Sequence, residues 1–309
     1  MELRQLRYLC AVARENHFTR AAETLFVTQS ALSQQIQSLE QEVGVSLLDR
    51  SKRGVRLTAA GEVLVHHAQR VLHELELARV ALDDLQGLQR GDLTIGVVQT
   101  VNAYMMPALV AAFAAKHPNI RLHIEELPAD EIERRLEEGT LQLGISFMPA
   151  AHPQIGGEPL FAERLALIVP LNHPLAHYDT IGIAALHEMP MIMLTRTFCT
   201  RRLWEESARM AAAQPKVVLE MNTVSSILSA VSRTNLPAIL PQLVLSEQDT
   251  LALRSIELRD PTPSRQVGLL WHKDYVLCSA TRAFMTMTLE VAAGFNAAEV
   301  VESPSCASC

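Results

Sequence analysis

The stretch TQSALSQQIQ places Thr28, Gln29, Ser30, Ser33, Gln34 and Gln37 close together, with no charged residue from Gln29 through Leu39. Amides and hydroxyls both donate and accept hydrogen bonds. On one exposed helix face they suit the edges of bases in a DNA major groove, where glutamine pairs well with adenine. Cations follow: LLDRSKRGVRLT sets Arg50, Lys52, Arg53 and Arg56 around Gly54, which reads as a basic hairpin wing that holds backbone phosphates. Any small helical bundle also shows a polar face to solvent, so the pattern gains meaning only from the elements around it.

Those elements are legible. Thr19 is expected to cap a short helix whose inner face is Ala21, Ala22 and Leu25, and Thr28 to cap the next, with the turn at Phe26 and Val27. Leu32, Ile36, Leu39 and Val43 recur at helical spacing and predict the buried stripe of the second helix, leaving Ser30, Gln34 and Gln37 on the opposite face. Leu3, Leu6, Leu9 and Val12 predict a preceding helix that packs across the pair. After Thr58 a long helix is expected, on which Leu64, Ala68, Val71, Leu75, Ala78, Leu82 and Leu85 alternate spacings of four and three. That is a coiled-coil seam, and it predicts dimerisation through Leu64, Val71, Leu75 and Leu82. From Gly91 strand-like and helix-like segments alternate in a βαβαβ rhythm and then repeat, which predicts two α/β units.

The sequence AVARENHFTRAAETLFVTQSALSQQIQSLEQEVGVSLLDRSKRGVRLTAAG resembles the winged helix-turn-helix of LysR-type transcriptional regulators nearly throughout. It departs at Ser30, where that family often has proline. The resemblance extends through the long helix and implies a DNA-binding domain over 1–58, a coiled-coil linker over 59–89 and a two-lobed, periplasmic-binding-protein-like effector domain over 90–300. In that scheme lobe I comprises 90–161 and 266–300, lobe II comprises 162–265, and 301–309 is a flexible tail. It also implies a homotetramer built as a dimer of dimers on a palindromic promoter, contact with RNA polymerase, and activation in answer to a small-molecule effector. Across its whole length, with VQTVN standing in place of VTPTF-like wording and NTVSSILSAVSRTNLPAILP further on, the chain looks most similar to the cyanate-operon regulators within the family, which implies a cyanate-type effector.

Ligands of open α/β sheets sit beyond strand ends, beside helix N-termini. The expected strand ends carry Gln99, Thr100 and Asn102, then Ser146, then Thr195, Thr197, Phe198 and Thr200, and finally Asn222. The family resemblance assigns the effector cleft to Gln99, Thr100, Thr195, Thr197 and Thr200, and the neighbouring polar positions complete the candidate set. Hydroxyls, amides and helix termini with no deep carboxylate suggest a small anion. A lone threonine at such a place reads first as a helix cap, and it is the co-location of the set that points to a cleft. Cys199 opens a second reading, since some members of the family sense peroxide through a cysteine in this loop. Arg196, Arg201 and Arg202 could lower its pKa, yet RRLWEESARMAAAQP offers no second cysteine to resolve a sulfenic acid.

Composition narrows the alternatives. The net charge is −7, but residues 1–60 hold eight basic against six acidic side chains, and the remainder nineteen against twenty-eight. The positive charge thus sits with the reading motif, and the acidic body limits indiscriminate binding to DNA. Five cysteines, an odd number, do not form a disulfide framework, and the terminal CASC lies in a serine-rich tail with no second ligand pair. No apolar run is long enough for a membrane span and no signal peptide opens the chain, so a cytoplasmic protein is expected. No Walker, G-x-S-x-G, H-E-x-x-H or dinucleotide motif is present, so neither an enzyme nor a bound cofactor or metal is expected. The remaining alternative is a solute-binding protein whose N-terminal domain makes only protein contacts.

Overall fold

A computed structural model describes residues 1–49, 55–85, 91–245 and 252–301. Arg50, Lys52 and Arg53, the linker beyond Leu85, and the tail beyond Val301 with its two cysteines lie outside the described residues. The chain falls into two compact units, one built on Met1–Leu88 and the other on most of the residues from Gln89 onward.

The first unit contains α1 (Leu3–Glu15), α2 (Phe18–Thr24), α3 (Gln29–Val43), the short antiparallel strands β1 (Leu48–Asp49) and β2 (Arg56–Leu57), and α4 (Ala59–Leu85). Its core joins Leu9, Val12, Ala21 and Ala22 to Leu32, Ile36 and Leu39 of α3. These α3 side chains are fully buried, and each contributes about 1.5–3 kcal/mol. Thr28 caps α3, its hydroxyl accepting from Ala31 N at 3.2 Å, and Gly44 closes the helix in the left-handed conformation at φ 76°. Three expectations fail locally, the first at Leu3, which opens α1 and is 44% exposed rather than packed. Val43 is 37% exposed because the last turn of α3 runs past the core. Thr19 is not the cap of α2: the helix starts at Phe18, and His17 Nδ1 accepts from Thr19 N at 3.2 Å, an imidazole nitrogen doing what a hydroxyl was expected to do.

Two contacts fix the hairpin and the long helix to this bundle. Glu40, on α3, accepts from Leu47 N at 2.8 Å and Leu48 N at 3.1 Å, so β1 is tied to α3. At Gly61 a Cβ would lie 2.1 Å from Leu47 O, so only glycine lets the start of α4 approach this closely.

The second unit contains β3 (Gly91–Val97), α5 (Gln99–Tyr104), α6 (Met106–Lys116), β4 (Ile120–Glu126), α7 (Ala129–Glu137), β5 (Leu143–Met148), β6 (Ile155–Pro170), β7 (Thr180–Gly182), β8 (Pro190–Leu194), α8 (Cys199–Met210), β9 (Lys216–Met221), α9 (Val224–Thr234), β10 (Ala238–Pro241), β11 (Leu253–Arg259), β12 (Ser264–His272) and α10 (Ser279–Val301). The strand order β4-β3-β5-β12-β6-β10-β8-β9 is parallel at both ends and antiparallel in the middle. β6 is the continuous strand that joins the halves. It pairs with β12 as far as Arg164 and with β10 and β11 from Leu165 onward. The chain returns at Pro263, whose carbonyl accepts from Leu165 N at 2.9 Å. Two lobes therefore share two crossing strands, and the β6–β12 pairing brings residues a hundred positions apart into register.

Candidate nucleic-acid interface and effector cleft

The helix that buries Leu32, Ile36 and Leu39 necessarily turns the other side outward. Thr28, Gln29, Ser30, Gln34 and Gln37 are exposed and Ser33 is half-buried at the margin. Ser30 Oγ lies 3.1 Å from the capping Thr28 Oγ1, so its hydroxyl supports the cap and still has hydrogen-bonding capacity toward solvent. No acidic group stands in the first turn of α3, which keeps its positive dipole end available to a phosphate or base edge. Of the wing cations, Arg56 is described and exposed, opposite Asp49 in the β1–β2 register. A protruding helix of uncharged readers beside a hairpin that carries a cation is the arrangement a DNA groove and its phosphates call for.

In the second unit, the N-terminal ends of α5 and α8 meet at the crossing strands. A single side chain fills the space between them: Arg265, at the start of β12. Its Nη2 donates to Thr100 Oγ1 at 3.1 Å and to Thr200 Oγ1 at 2.9 Å, so one nitrogen ties a hydroxyl of lobe I to a hydroxyl of lobe II. Nη1 reaches Cys199 Sγ at 3.8 Å, a weak acceptor, and the guanidinium carbon lies 3.5 Å above the Phe147 ring. Behind it, Nε donates to the carboxylate of Glu163, the residue directly opposite on β6. Glu163 is fully buried and also accepts from Tyr104 Oη at 2.7 Å. Burial, with the Glu163 carboxylate second, holds the Tyr104 phenol protonated well beyond its ordinary range. What remains is a cavity of about 10 Å³ lined by Gln99, Thr100, Phe147, Phe198, Cys199 and Thr200 among others, about the room of one water.

The family described as "Bacterial regulatory helix-turn-helix protein, lysR family" matches residues 3–62, and the "LysR substrate binding domain" matches residues 86–293. The chain belongs to the LysR family of transcriptional regulators. It is similar to the RuBisCO operon transcriptional regulator of Allochromatium vinosum, with 31% identity over 95% of this chain and 97% of that protein. It is also similar to the hydrogen peroxide-inducible genes activator of Haemophilus influenzae, with 29% identity over 88% and 90%. Among solved structures, the full-length OxyR of Pseudomonas aeruginosa superposes with a TM-score of 0.74 at 27% identity, covering 94% of each chain. As a LysR-type regulator the chain binds DNA; the helix-turn-helix match falls on its first unit and the effector-binding domain match on its second. Its relatives are regulators of transcription rather than enzymes. No helix among the described residues is long and apolar enough to cross a membrane.

Within this LysR-type cleft the expected residues separate. Gln99, Thr100, Phe198 and Thr200 line the cavity. Thr195 and Thr197 do not. They bond to each other, Oγ1 to Oγ1, at 2.9 Å on the loop before α8, because β8 ends short of the helix and the intervening turn faces outward. Asn102 donates to Glu126 at 2.9 Å on the flank of α5. Ser146 is fully buried within β5 and is not a lining residue. Asn222 contributes its backbone carbonyl, to Gln99 Nε2, while its side chain is exposed. The expectation of no deep carboxylate fails at Glu163, which is tolerated there because Arg265 and Tyr104 satisfy it. Neither Arg265 nor Glu163 was singled out by the sequence; the signal is slight, Arg265 opening the pattern RQVGLLWH and Glu163 standing just before RLALIVP. A roomier hollow of about 350 Å³ lies along α8, but its deepest cation, Arg201, is already held by Glu205, Glu220 and Leu194 O.

Cys199 opens α8 at the edge of the cavity. Burial pushes its thiol above the ordinary range, and Arg265 and Arg202 only partly oppose this. The reactive thiolate is therefore scarce at neutral pH and appears only as pH rises past the ordinary cysteine value. Alkylation by iodoacetamide at pH 7.5, followed by peptide mapping, is expected to be slower at Cys199 than for an unfolded control peptide; faster labelling would show an activated thiol instead.

On the linker, Val71, Leu75, Ala78 and Leu82 are exposed, whereas Leu64 packs against the winged-helix core and Ala68 is buried. The assignment of Leu64 to a dimer seam is corrected: the first turns of α4 belong to the DNA-binding unit, and the free apolar stripe begins at Val71.

Proposed function

We infer that the protein is an effector-responsive activator whose cleft takes a small anionic metabolite and whose copies pair through α4. The observation that carries the effector reading is Arg265: a guanidinium 9% exposed at the meeting point of two helix N-termini, with one Nη1 hydrogen directed to nothing better than a thiol. Helix ends and a cation together select an anion. Pairing is supported by the exposed stripe at Val71, Leu75, Ala78 and Leu82, whose alternating spacing is that of a coiled-coil seam. Two recognition helices held at fixed separation then read an interrupted palindrome. The dimer of dimers, the contact with RNA polymerase and a cytoplasmic location are part of the same reading, and family membership supports them. No cofactor is required by it. A cyanate-type effector rests on the whole-length sequence resemblance alone, and the relatives named above carry other names.

A second reading has one observation in its favour, the position of Cys199 at the cavity beside Arg265. It would make the protein a peroxide-responsive regulator, in line with the Haemophilus influenzae relative named as a hydrogen peroxide-inducible genes activator. Against it stand the raised thiol and the absence of a second cysteine in α8. The test is a selection of genomic fragments bound by the full-length chain, followed by footprints with a panel of small anions and with hydrogen peroxide. A protected region that changes with an anion, in the parent and in Cys199→Ser alike, supports the metabolite reading. A change produced by peroxide alone and abolished by Cys199→Ser would replace it.

A further inference from the structure

The cleft offers donors in one place and an unsatisfied acceptor in another. Gln99 is 5% exposed and lines the cavity; its Nε2 is spent on Asn222 O, and its Oε1 is buried with no donor among the described residues. Exchanging the two amide atoms would set oxygen against oxygen at Asn222, so this orientation is the one the hydrogen bond requires. A buried acceptor without a partner is costly, and a ligand that supplies the missing donor regains that cost. On the other side, among the described residues Arg265 keeps one Nη1 hydrogen uncommitted, and Thr100 and Thr200 accept from Arg265 with their own hydroxyl hydrogens still available. No side chain caps α8.

We propose that the effector is a small anion that also carries a hydrogen-bond donor, a hydroxy acid or amino acid of a few heavy atoms, whose charged end is read by Arg265 and whose O–H or N–H is read by Gln99 Oε1. The inference rests on the metabolite reading above and sharpens it. A bare anion satisfies Arg265 but leaves Oε1 as it is. The cavity of about 10 Å³ admits no such ligand until the Arg265 bridge to Thr100 and Thr200 parts, so binding exchanges these internal contacts for contacts with the ligand while Gln99 Nε2 stays on Asn222 O.

Matched acids separate the two ends. Calorimetric titration of the full-length protein with glycolate against acetate, and with lactate against propionate, is expected to show each hydroxy acid binding at least about tenfold more tightly than its partner. Gln99→Leu is expected to bring each ratio close to one, and Arg265→Gln to abolish binding of all four acids; both variants are first shown to melt cooperatively and to bind DNA, since Arg265→Gln leaves Glu163 buried without its ion-pair partner. Equal affinities within each pair in the parent would overturn the inference and mean that a water serves Gln99. So would an absence of measurable binding by both hydroxy acids. If cyanate or acetate alters the footprint while glycolate and lactate do not, the metabolite reading stands and this inference falls.

Discussion

Glu163→Leu is expected to lower the unfolding free energy by about 3–5 kcal/mol, the usual cost of removing one partner from a buried ion pair. The reason lies in what remains. Arg265, 9% exposed, would keep its charge with only hydroxyls, a thiol and the Phe147 face around it, and Tyr104 would lose the acceptor of its hydroxyl. A guanidinium cannot shed its proton to escape. Replacing both residues with apolar ones, Glu163→Leu with Arg265→Met, is expected to recover much of the loss, since paired removal takes away the uncompensated charge as well. Denaturant unfolding of the single and double variants measures this. A single variant as stable as the parent would mean that the pair is solvated in a way its burial denies.

Leu75→Glu is expected to have the larger functional effect. Leu75 is 41% exposed on α4, midway along the stripe that runs from Val71 to Leu82, and it makes no essential contact within its own chain's core. A carboxylate there would be desolvated without a partner on pairing, so assembly fails while each chain still folds. DNA binding then depends on one half-site at a time, and the avidity of two linked sites, roughly 10²–10⁴-fold, disappears. Light scattering and binding to a two-half-site duplex give the mass and the affinity. A variant that keeps both removes α4 from the interface.

The parts of this molecule that repeat along the chain were legible in its sequence. Leu32, Ile36 and Leu39 recur at helical spacing, so the exposed face of α3 followed from the buried one, and the βαβ rhythm announced the two halves of the effector domain. Positions decided by a neighbour far away in sequence were not legible. Leu64 and Leu75 look alike in the repeat, yet the close approach at Gly61 seats the first turns of α4 on the winged unit and buries one of them partly while leaving the other free. Thr195 and Thr200 are both threonines near one strand end, but only Thr200 lies within the first turn of α8 and so reaches the cavity. Arg265 and Glu163 meet because β12 pairs antiparallel with β6, a register that no local pattern encodes.

The reading face of α3 is tested most directly by comparing the affinity of Gln29→Ala and Arg56→Ala for a selected genomic site and for random duplex over a range of salt concentrations. Gln29→Ala is expected to lose about 1–3 kcal/mol on the selected site and nothing on random DNA, because an exposed amide at the start of the recognition helix contributes through base edges alone. Arg56→Ala is expected to weaken both duplexes alike and to reduce the salt slope by about 1, as a phosphate contact does. Equal losses on selected and random DNA for Gln29→Ala would contradict sequence reading by α3.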